Sequence, residues 1–321
     1  MEQNYTEDLV TFNELAYSAI AKHSHQVFKY RVRVLEDKDP EDLHQMRIEI
    51  RRLRSAISGF AVGVDLPETI TETNIAKISR SLGKLRDLDV LLAVLQDEYQ
   101  PLLPIDEQIK LDKAVELIKR QRKHKLKQVR KTLNGKLYFK LRRELENWLD
   151  VPTHHKMGRC SVYLLLPDLL LTQVSQLLLH PGWTVGVNIK KGRVQFPPIL
   201  DREAIAEILS REDVLLHGLR KSAKKTRYGL ELFAQFYDDT FHQYLDRIRQ
   251  IQEILGQFQD AHLLQKTLAK ALKSEVSEQM PQLAQLLLKT RYQRWLEWQI
   301  LQKQFLNKRI RKRIKQIILQ I

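Results

Sequence analysis

Residues 43–54 read LHQMRIEIRRLR, and residues 216–227 read LHGLRKSAKKTR. The numbering of the two segments differs by 173, from Leu43 to Leu216. In both, the histidine is followed by basic residues three, seven and ten positions later. A pattern that returns at a fixed distance along a chain indicates a duplicated structural unit.

A second pair of matching segments keeps the same spacing. Residues 82–87 read LGKLRD and residues 255–260 read LGQFQD, again at an offset of 173. Phe60 and Phe233 also match at this offset. Each half of the chain therefore carries a basic segment and, further on, a leucine-glycine segment that ends in an aspartate.

The basic residues of each segment form a single stripe when the segment is placed on an α-helix. The first basic stripe consists of His44, Arg47, Arg51 and Arg54, and the second of His217, Arg220, Lys224 and Arg227. At 3.6 residues per turn, each set falls within about 80° of arc. An apolar stripe lies beside each one and predicts a core face: Met46, Ile50, Leu53 and Ile57 in the first half, and Leu219, Ala223, Thr226 and Leu230 in the second.

This clustering of positive charge predicts a polyanionic ligand. The chain has 54 Lys and Arg against 39 Asp and Glu, a net charge of +15. Residues 220–227 hold five cations and no acid, an arrangement whose repulsion costs stability unless an anion binds. Two longer tracts are also free of acids: residues 119–143 hold twelve Lys or Arg, and residues 303–315 hold seven. A solvated basic face without a ligand is the alternative interpretation.

Two features near the stripes have more than one interpretation. Gly83 and Gly256 lie inside helical patterns, where glycine is unfavourable, and we expect close helix–helix approach there. Asp87 and Asp260 are either ion-pair partners of the stripes or ordinary surface acids. The stripe histidines either contact the ligand or hydrogen-bond within the fold; in the first case, binding should strengthen below about pH 6.5.

These motifs resemble the CHAD family, the conserved histidine α-helical domain. The resemblance rests on the stripe segments and on LGKLRDLD at residues 82–89, and it covers roughly residues 9–320. The chain departs from strict repetition because Arg86 is matched by Gln259 and Asp89 by His262. Residues 181–198 contain three prolines, so the first helix of the second half cannot be continuous there.

The resemblance implies an all-α fold with two antiparallel four-helix bundles, related by pseudo-twofold symmetry and joined by an irregular segment. It also implies that inorganic polyphosphate binds in a basic groove between the bundles. The candidate polyphosphate-binding residues are His44, Arg47, Arg51, Arg52, Arg54, His217, Arg220, Lys221, Lys224, Lys225 and Arg227.

Punctuating residues predict three regions: a first bundle at 1–150, a linker or insertion at 151–200, and a second bundle at 201–321. In the first region, helices are expected from Thr6 to Leu35, from Asp39-Pro40 to Phe60, over 68–99 and over 105–149, with a bend at Asn134-Gly135. Nine prolines and glycines mark 151–200, where a short apolar helix (164–179) and a hairpin around Lys190-Lys191-Gly192 are predicted. Helices over 201–237, 239–273 and 280–320 complete the chain.

Several function classes find no support in the sequence. It has no P-loop, no adjacent His-Asp pair of the metal phosphohydrolase kind and no Glu-x-Glu-x-Lys start, so we expect a non-catalytic protein with no cofactor and no metal. It also lacks zinc-finger spacing, an RNA-recognition aromatic motif and a basic leucine zipper. Nucleic-acid or general polyanion binding stays open as the alternative, because phosphate contacts need only basic helices.

The remaining expectations concern location and partners. Cys160 is the single cysteine, which fits a reducing compartment. Residues 1–4 lack a signal-peptide pattern, and the apolar stretch 162–179 is broken by Pro167, Asp168 and Gln173. We expect a cytoplasmic protein without stable membrane insertion, with polyphosphate granules as a further expected location. Residues 305–321 have the basic and apolar mixture of an interfacial helix, but a last bundle helix is the favoured interpretation.

Overall fold

The computed structural model describes residues 10–198 and 200–320. The prediction of an all-α fold is confirmed, since these residues form helices apart from one short hairpin and isolated bridges. The first five helices are α1 (Phe12–Glu36), α2 (Pro40–Gly59), α3 (Glu72–Ala93), α4 (Ile105–Leu133) and α5 (Lys136–Asp150). A π-helical turn, Val94–Tyr99, and a 3₁₀ turn, Gln100–Leu102, extend α3.

Helix ends in this region follow from local chemistry. Asp39 caps α2 by accepting the backbone N–H of Glu41 at 2.8 Å, and Pro40 occupies the first helical position. The helix expected from Thr6 begins at Phe12 in the described residues, behind a Thr11 capping box, and its first predicted residues lie outside them. The bend expected at 134–135 is a break between α4 and α5.

The middle of the chain holds α6 (Val162–Leu178) and an antiparallel hairpin of β1 (Asn188–Lys190) and β2 (Arg193–Gln195). Two 3₁₀ turns flank α6, Lys156–Arg159 before it and Pro181–Thr184 after it. The hairpin lies where it was predicted, around Lys190-Lys191-Gly192, and Trp183 lies before it in the second 3₁₀ turn. By length and composition alone, Val162–Thr184 is apolar enough to cross a membrane, and 39% of its most apolar 18-residue stretch is buried.

The last part of the chain is helical again. It contains α7 (Arg202–Arg211), α8 (Asp213–Glu231), α9 (Asp239–Leu272), α10 (Val276–Gln279), α11 (Pro281–Leu306) and α12 (Lys308–Leu319). A 3₁₀ turn, Ala234–Phe236, precedes α9. The helices expected over 201–237 and 280–320 are therefore interrupted, the latter at Asn307, whose side chain caps α12.

The chain forms two compact units. Unit 1 comprises the described residues up to Asp89 together with Gln121–Leu170, and unit 2 comprises Val90–Arg120 and the described residues from Leu171 on. The divisions fall inside α3, α4 and α6. They differ from the boundaries predicted at 150 and 200. Those boundaries describe where the sequence repeat begins and ends, whereas the units are defined by contacts in space, so the boundaries stay predictions.

The core of unit 1 forms where α1 packs on α2. Phe12 and Phe60 meet edge to face with ring centroids 5.0 Å apart. On α5, Trp148 is buried and donates its indole N–H to the carbonyl of Asp65 at 3.0 Å. Arg122 of α4 makes two hydrogen bonds to Asp37, at 2.7 and 2.8 Å, and one to Asp89 at 2.5 Å.

The core of unit 2 is built around α8, α9 and α11. Trp183 stacks between Trp298 and Phe305, with centroids 5.3 and 5.1 Å away. The buried amide of Gln302 donates to the carbonyls of Trp183 and Val185 at 2.8 Å each, which fixes the 181–187 segment to α11. The turn between α6 and the hairpin is therefore part of the core.

Two further features of unit 2 are the cap of α11 and the buried face of α12. The carboxylate of Glu107, which is 2% exposed, accepts the backbone N–H groups of Gln282 and Leu283 at 2.8 and 3.0 Å and so caps α11. On α12 the apolar face is buried through Ile314, Ile317 and Ile318. This burial fits the interpretation of α12 as the last helix of the fold and not as an interfacial helix, whose apolar face would be exposed.

Candidate functional site

Helix α2 presents the first basic stripe at the edge of the unit 1 core. The neighbouring Met46, Ile50 and Leu53 are 0–2% exposed, as the predicted core face requires. The four stripe side chains are half-buried: His44, Arg47, Arg51 and Arg54. They lie beside the core face and not on the far side of the helix, so their charged ends are held in partly desolvated surroundings.

Arg47 links α2 to the leucine-glycine segment of α3. Its guanidinium donates to the carbonyl of Gly83 at 3.1 Å and lies 3.5 Å from the carboxylate of Asp87. A Cβ atom added to Gly83 would lie 3.8 Å from Arg47 Nη2. The neighbour of Gly83 is thus an arginine side chain at an ordinary contact distance and not the closely packed helix backbone that was expected. Asp87 is an ion-pair partner with a half-exposed side chain.

The other cations of this helix have different surroundings. Arg54 pairs with Glu72, the first residue of α3, at 2.6 Å. Arg51 donates its Nε–H to the carbonyl of Arg47 at 3.1 Å. Arg52 is turned about 80° from His44 around the helix, away from the rest of the stripe, and it bonds to Glu49 at 2.8 Å.

Glu49 joins Arg52 to a buried histidine. Its second carboxylate oxygen lies 2.7 Å from Nδ1 of His23. Burial pushes the pKa of Glu49 up, but the hydrogen bond and charge of His23 together with Arg52 outweigh it, so the pKa lies below its usual value. This arrangement gives Arg52 a structural partner away from the other candidate binding residues.

Helix α8 presents the second basic stripe in unit 2, and the arginine-on-glycine contact returns there. A Cβ atom added to Gly256 of α9 would lie 3.2 Å from Nε and 3.5 Å from Nη2 of Arg220. Arg220 and Gly256 are the repeat partners of Arg47 and Gly83 at the offset that relates the two halves. In both units a stripe arginine thus lies against the glycine of the leucine-glycine segment. A Cβ atom would be crowded at Gly256 but would make only an ordinary contact at Gly83.

The rest of the second stripe is also anchored. Arg227 bonds to Gln252 at 2.9 Å and to Glu231 at 2.6 Å, and its guanidinium lies 4.2 Å from the centroid of the Tyr228 ring. Lys224 is half-buried on the same face. Lys221 and Lys225 belong to the same basic segment, and Lys225 is turned about 80° from His217 around the helix.

The stripe histidines occupy repeat-equivalent positions but face different neighbours. Burial, followed by the charge of Arg86, holds the pKa of His44 below its usual value, and Arg51 and Arg47 add to this. Burial, then Lys221 and Arg220, also lower the pKa of His217, while a hydrogen bond with Gln259 opposes them. Nδ1 of His217 is buried without a hydrogen-bond partner. The exchange of Arg86 for Gln259 thus changes the charge opposite each histidine.

A third histidine, which the sequence did not indicate, lies against the second stripe helix. His180 accepts the backbone N–H of Gly182 at 3.0 Å. A Cβ atom added to Gly218 of α8 would lie 2.9 Å from Nε2 of His180. Gly218 stands where the first half has Gln45. A glycine inside a helix was the available signal, but it does not reveal which residue approaches it.

Few acidic side chains pair with the stripes, and an anionic ligand can replace them. Asp87 and Glu72 have side chains that are 52% and 47% exposed. Ion pairs with such exposed acids contribute little stability, so a stronger anion can displace them. Within residues 10–198 and 200–320, no group of three or more His, Cys, Asp or Glu is placed to hold a metal ion. The arrangement is suited to binding an extended anion through guanidinium and ammonium groups.

Comparison with known sequences decides the family. A sequence profile of the CHAD domain matches residues 18–269. The chain belongs to the CHAD family. The CHAD profile thus covers both stripe helices and both leucine-glycine segments, and the resemblance noted from those segments is confirmed. No protein with a curated description matches the sequence.

Two solved structures share the CHAD fold of this chain. The crystal structure of the CHAD domain from the plant Ricinus communis has a TM-score of 0.59 and 22% sequence identity, and the match covers 97% of this chain and 93% of that one. PptA from Streptomyces chartreusis also has a TM-score of 0.59, with 12% identity over 92% of this chain and 99% of that one. At such identities, the likeness concerns the fold alone.

Proposed function

We propose that this CHAD protein binds inorganic polyphosphate through its two basic stripes, without catalysing a reaction. The observation that carries the proposal is the repeated contact of Arg47 on Gly83 and Arg220 on Gly256. In each unit a stripe arginine lies against the leucine-glycine segment beside the core. A general surplus of positive surface charge would not require the same arginine–glycine contact in both units.

The stripes suit a flexible phosphate chain. Guanidinium groups bind phosphate oxygens in a bidentate manner, whereas lysine acts as a point charge. In unit 1, phosphate would replace Asp87 and Glu72 as the partner of Arg47 and Arg54. Since those acids are about half exposed, their release into water costs little.

Salt dependence gives the proposal a quantitative form. If the six arginine and lysine side chains of the stripes contact phosphate, the slope of log K against log salt should be roughly −0.7 × 6, or about −4, by analogy with single-stranded nucleic acid. A slope near −2 would contradict the use of both stripes.

The decisive experiment is titration of medium-chain polyphosphate across a salt series, with heparin and duplex DNA as competitors. The test variant reverses two cations in each stripe: Arg51→Glu, Arg54→Glu, Lys224→Glu and Arg227→Glu. The matched control reverses two lysines outside the stripes in each unit, on α1 and α9: Lys22→Glu, Lys29→Glu, Lys266→Glu and Lys270→Glu. Both variants change the net charge equally, so they differ in the position of the reversed charges and in the burial of the replaced side chains.

We expect submicromolar binding that duplex DNA does not displace, that the test variant loses and that the control retains. Equal losses in both variants would mean that net charge alone attracts polyphosphate. Binding of DNA as tight as that of polyphosphate would favour the alternative, a nucleic-acid or general polyanion-binding protein.

The absence of catalysis and the location are parts of the same proposal. Incubation with polyphosphate should release no inorganic phosphate and should leave the chain-length distribution on a gel unchanged. A fluorescent fusion should lie in the cytoplasm and overlap with polyphosphate granules where cells form them. Phosphate release by the wild type that the test variant loses would contradict the non-catalytic proposal.

A further inference from the structure

Unit 1 contains a basic cavity of about 570 Å³ that is separate from the first basic stripe. It lies between α3, the end of α4 and the start of α5. Five basic side chains line it: Lys77, Arg80, Lys84, Lys131 and Lys136. No acidic residue is among the described residues that line this cavity. We call it the α3–α5 cavity.

The cavity uses a different face of α3 from the one that meets Arg47. Lys77, Arg80 and Lys84 follow each other at steps of three and four residues, so they share a face. Lys84 is turned about 100° from Gly83 around the helix axis. A ligand in the cavity would therefore contact a set of side chains that excludes the stripe.

Hydroxyl groups of half-buried residues line the cavity together with these cations. Oγ1 of Thr132 and Oγ of Ser81 are hydrogen-bonded at 3.0 Å, and both residues line the cavity. Oγ1 of Thr132 also lies 2.9 Å from the carbonyl of Gln128. A hydroxyl group has a single hydrogen, so if Thr132 donates to Oγ of Ser81, the Ser81 hydroxyl is free to donate to an oxyanion.

The C-terminal end of α4 does not place an uncompensated negative charge next to an anion in the cavity. Its last carbonyl, on Leu133, accepts a hydrogen bond from Arg31 at 3.1 Å, and Arg31 also bonds to the side chain of Asn134 at 2.6 Å. The partial negative charge of this helix end is therefore offset by a guanidinium group. The potential in the cavity is dominated by its five cations.

We infer that the α3–α5 cavity binds a compact, multiply charged phosphate group. The cavity volume falls in the range of small-molecule sites, about 300–1,000 Å³. Cations on three helices would surround such a ligand, and the Ser81 hydroxyl would donate to one of its oxygens. Because no carboxylate competes within the cavity, the site favours high negative charge density. This inference does not depend on polyphosphate binding by the stripes.

Inorganic pyrophosphate is a suitable probe, with titration calorimetry on the full chain as the measurement. The test variant is Lys84→Gln with Lys131→Gln, which removes one cation from α3 and one from α4. The control is Lys127→Gln with Lys140→Gln, two exposed lysines of α4 and α5 that do not line the cavity. None of the four side chains is buried, so neither variant disturbs the core.

The test variant should raise the pyrophosphate dissociation constant by on the order of tenfold or more for each lost contact, and the control should change it by less than about threefold. A second readout is the protection of the Lys84 and Lys131 amines from acylation by pyrophosphate, measured by mass spectrometry against Lys127. No detectable pyrophosphate binding, equal weakening in both variants, or equal protection of all three lysines would overturn the inference.

The same variants keep this inference distinct from the proposed function. The cavity variant should retain binding of long-chain polyphosphate, and the stripe variant should retain binding of pyrophosphate. Loss of pyrophosphate binding in the stripe variant, with no effect of the cavity variant, would assign the compact ligand to the stripe and overturn the inference. Failure of polyphosphate binding alone would leave the cavity result standing.

Discussion

Replacing Gly83 or Gly256 by alanine tests the arginine-on-glycine contact directly. Both glycines lie inside helices, where exchange to alanine gains about 1 kcal/mol in the absence of a steric conflict. At Gly83 the new methyl group would lie 3.8 Å from Arg47 Nη2, an ordinary contact. Gly83→Ala should therefore raise the free energy of unfolding by about 1 kcal/mol.

At Gly256 the same change meets a closer neighbour. The methyl group would lie 3.2 Å from Arg220 Nε, so that side chain must move by a few tenths of an ångström. Gly256→Ala should therefore gain less than Gly83→Ala. Urea denaturation of both variants beside the wild type measures the difference.

A double-mutant cycle isolates the cause. In an Arg220→Ala background the obstructing guanidinium is gone, so Gly256→Ala should recover the full gain of about 1 kcal/mol. Equal gains from Gly256→Ala with and without Arg220, or a loss of stability in Gly83→Ala, would refute the proposed contact.

Three further predictions concern buried charge. Arg122→Met should lower the free energy of unfolding by about 3 kcal/mol in urea denaturation, because Asp89, with a 6% exposed side chain, loses its cation; an unchanged midpoint would mean that the network is not formed. Glu107→Gln should cost about 1 kcal/mol by the same assay, since one amide oxygen replaces two carboxylate oxygens at the start of α11, and Glu107→Ala should cost more. The pKa of His44 and of His217 lies below the usual 6.5. The free energy of unfolding should therefore decrease as the pH falls from about 6.5 through the lowered pKa. A bound polyanion offsets this decrease because it favours the charged imidazolium form. Replacing both histidines by Gln should flatten this part of the pH profiles of stability and of polyphosphate binding; unchanged profiles would show that neither histidine titrates with the ligand.

Helix ends and the position of the stripes could be predicted from the sequence because they depend on local chemistry. Asp39-Pro40 start α2 for reasons of capping and fixed backbone geometry that do not depend on the rest of the chain. The helical period likewise placed the stripe beside Met46 and Ile50. The constant offset between the two halves paired Arg47 with Arg220 before any contact was visible.

Contacts between distant segments could not be predicted in the same way. The glycines at 83 and 256 indicated close helix–helix approach, but their neighbours are arginine side chains, because a missing Cβ does not specify what lies next to it. Arg52 belonged to the basic segment by sequence, yet its partner Glu49 is on the same helix and faces His23. The division of the chain into two units depends on long-range contacts, and it falls inside α3 and α4.

The tryptophans of this chain give each unit its own optical signal. Trp148, which donates to the carbonyl of Asp65, belongs to unit 1, and the other three of the four tryptophans belong to unit 2. Replacing Trp148 by Phe leaves a protein whose indole fluorescence reports on unit 2 alone, and the difference from the wild type reports on unit 1. The stacked Trp183 and Trp298 should also give an exciton-coupled circular dichroism band that disappears when the 181–187 segment leaves α11. Loss of structure in the two units can thus be followed separately, without an added label.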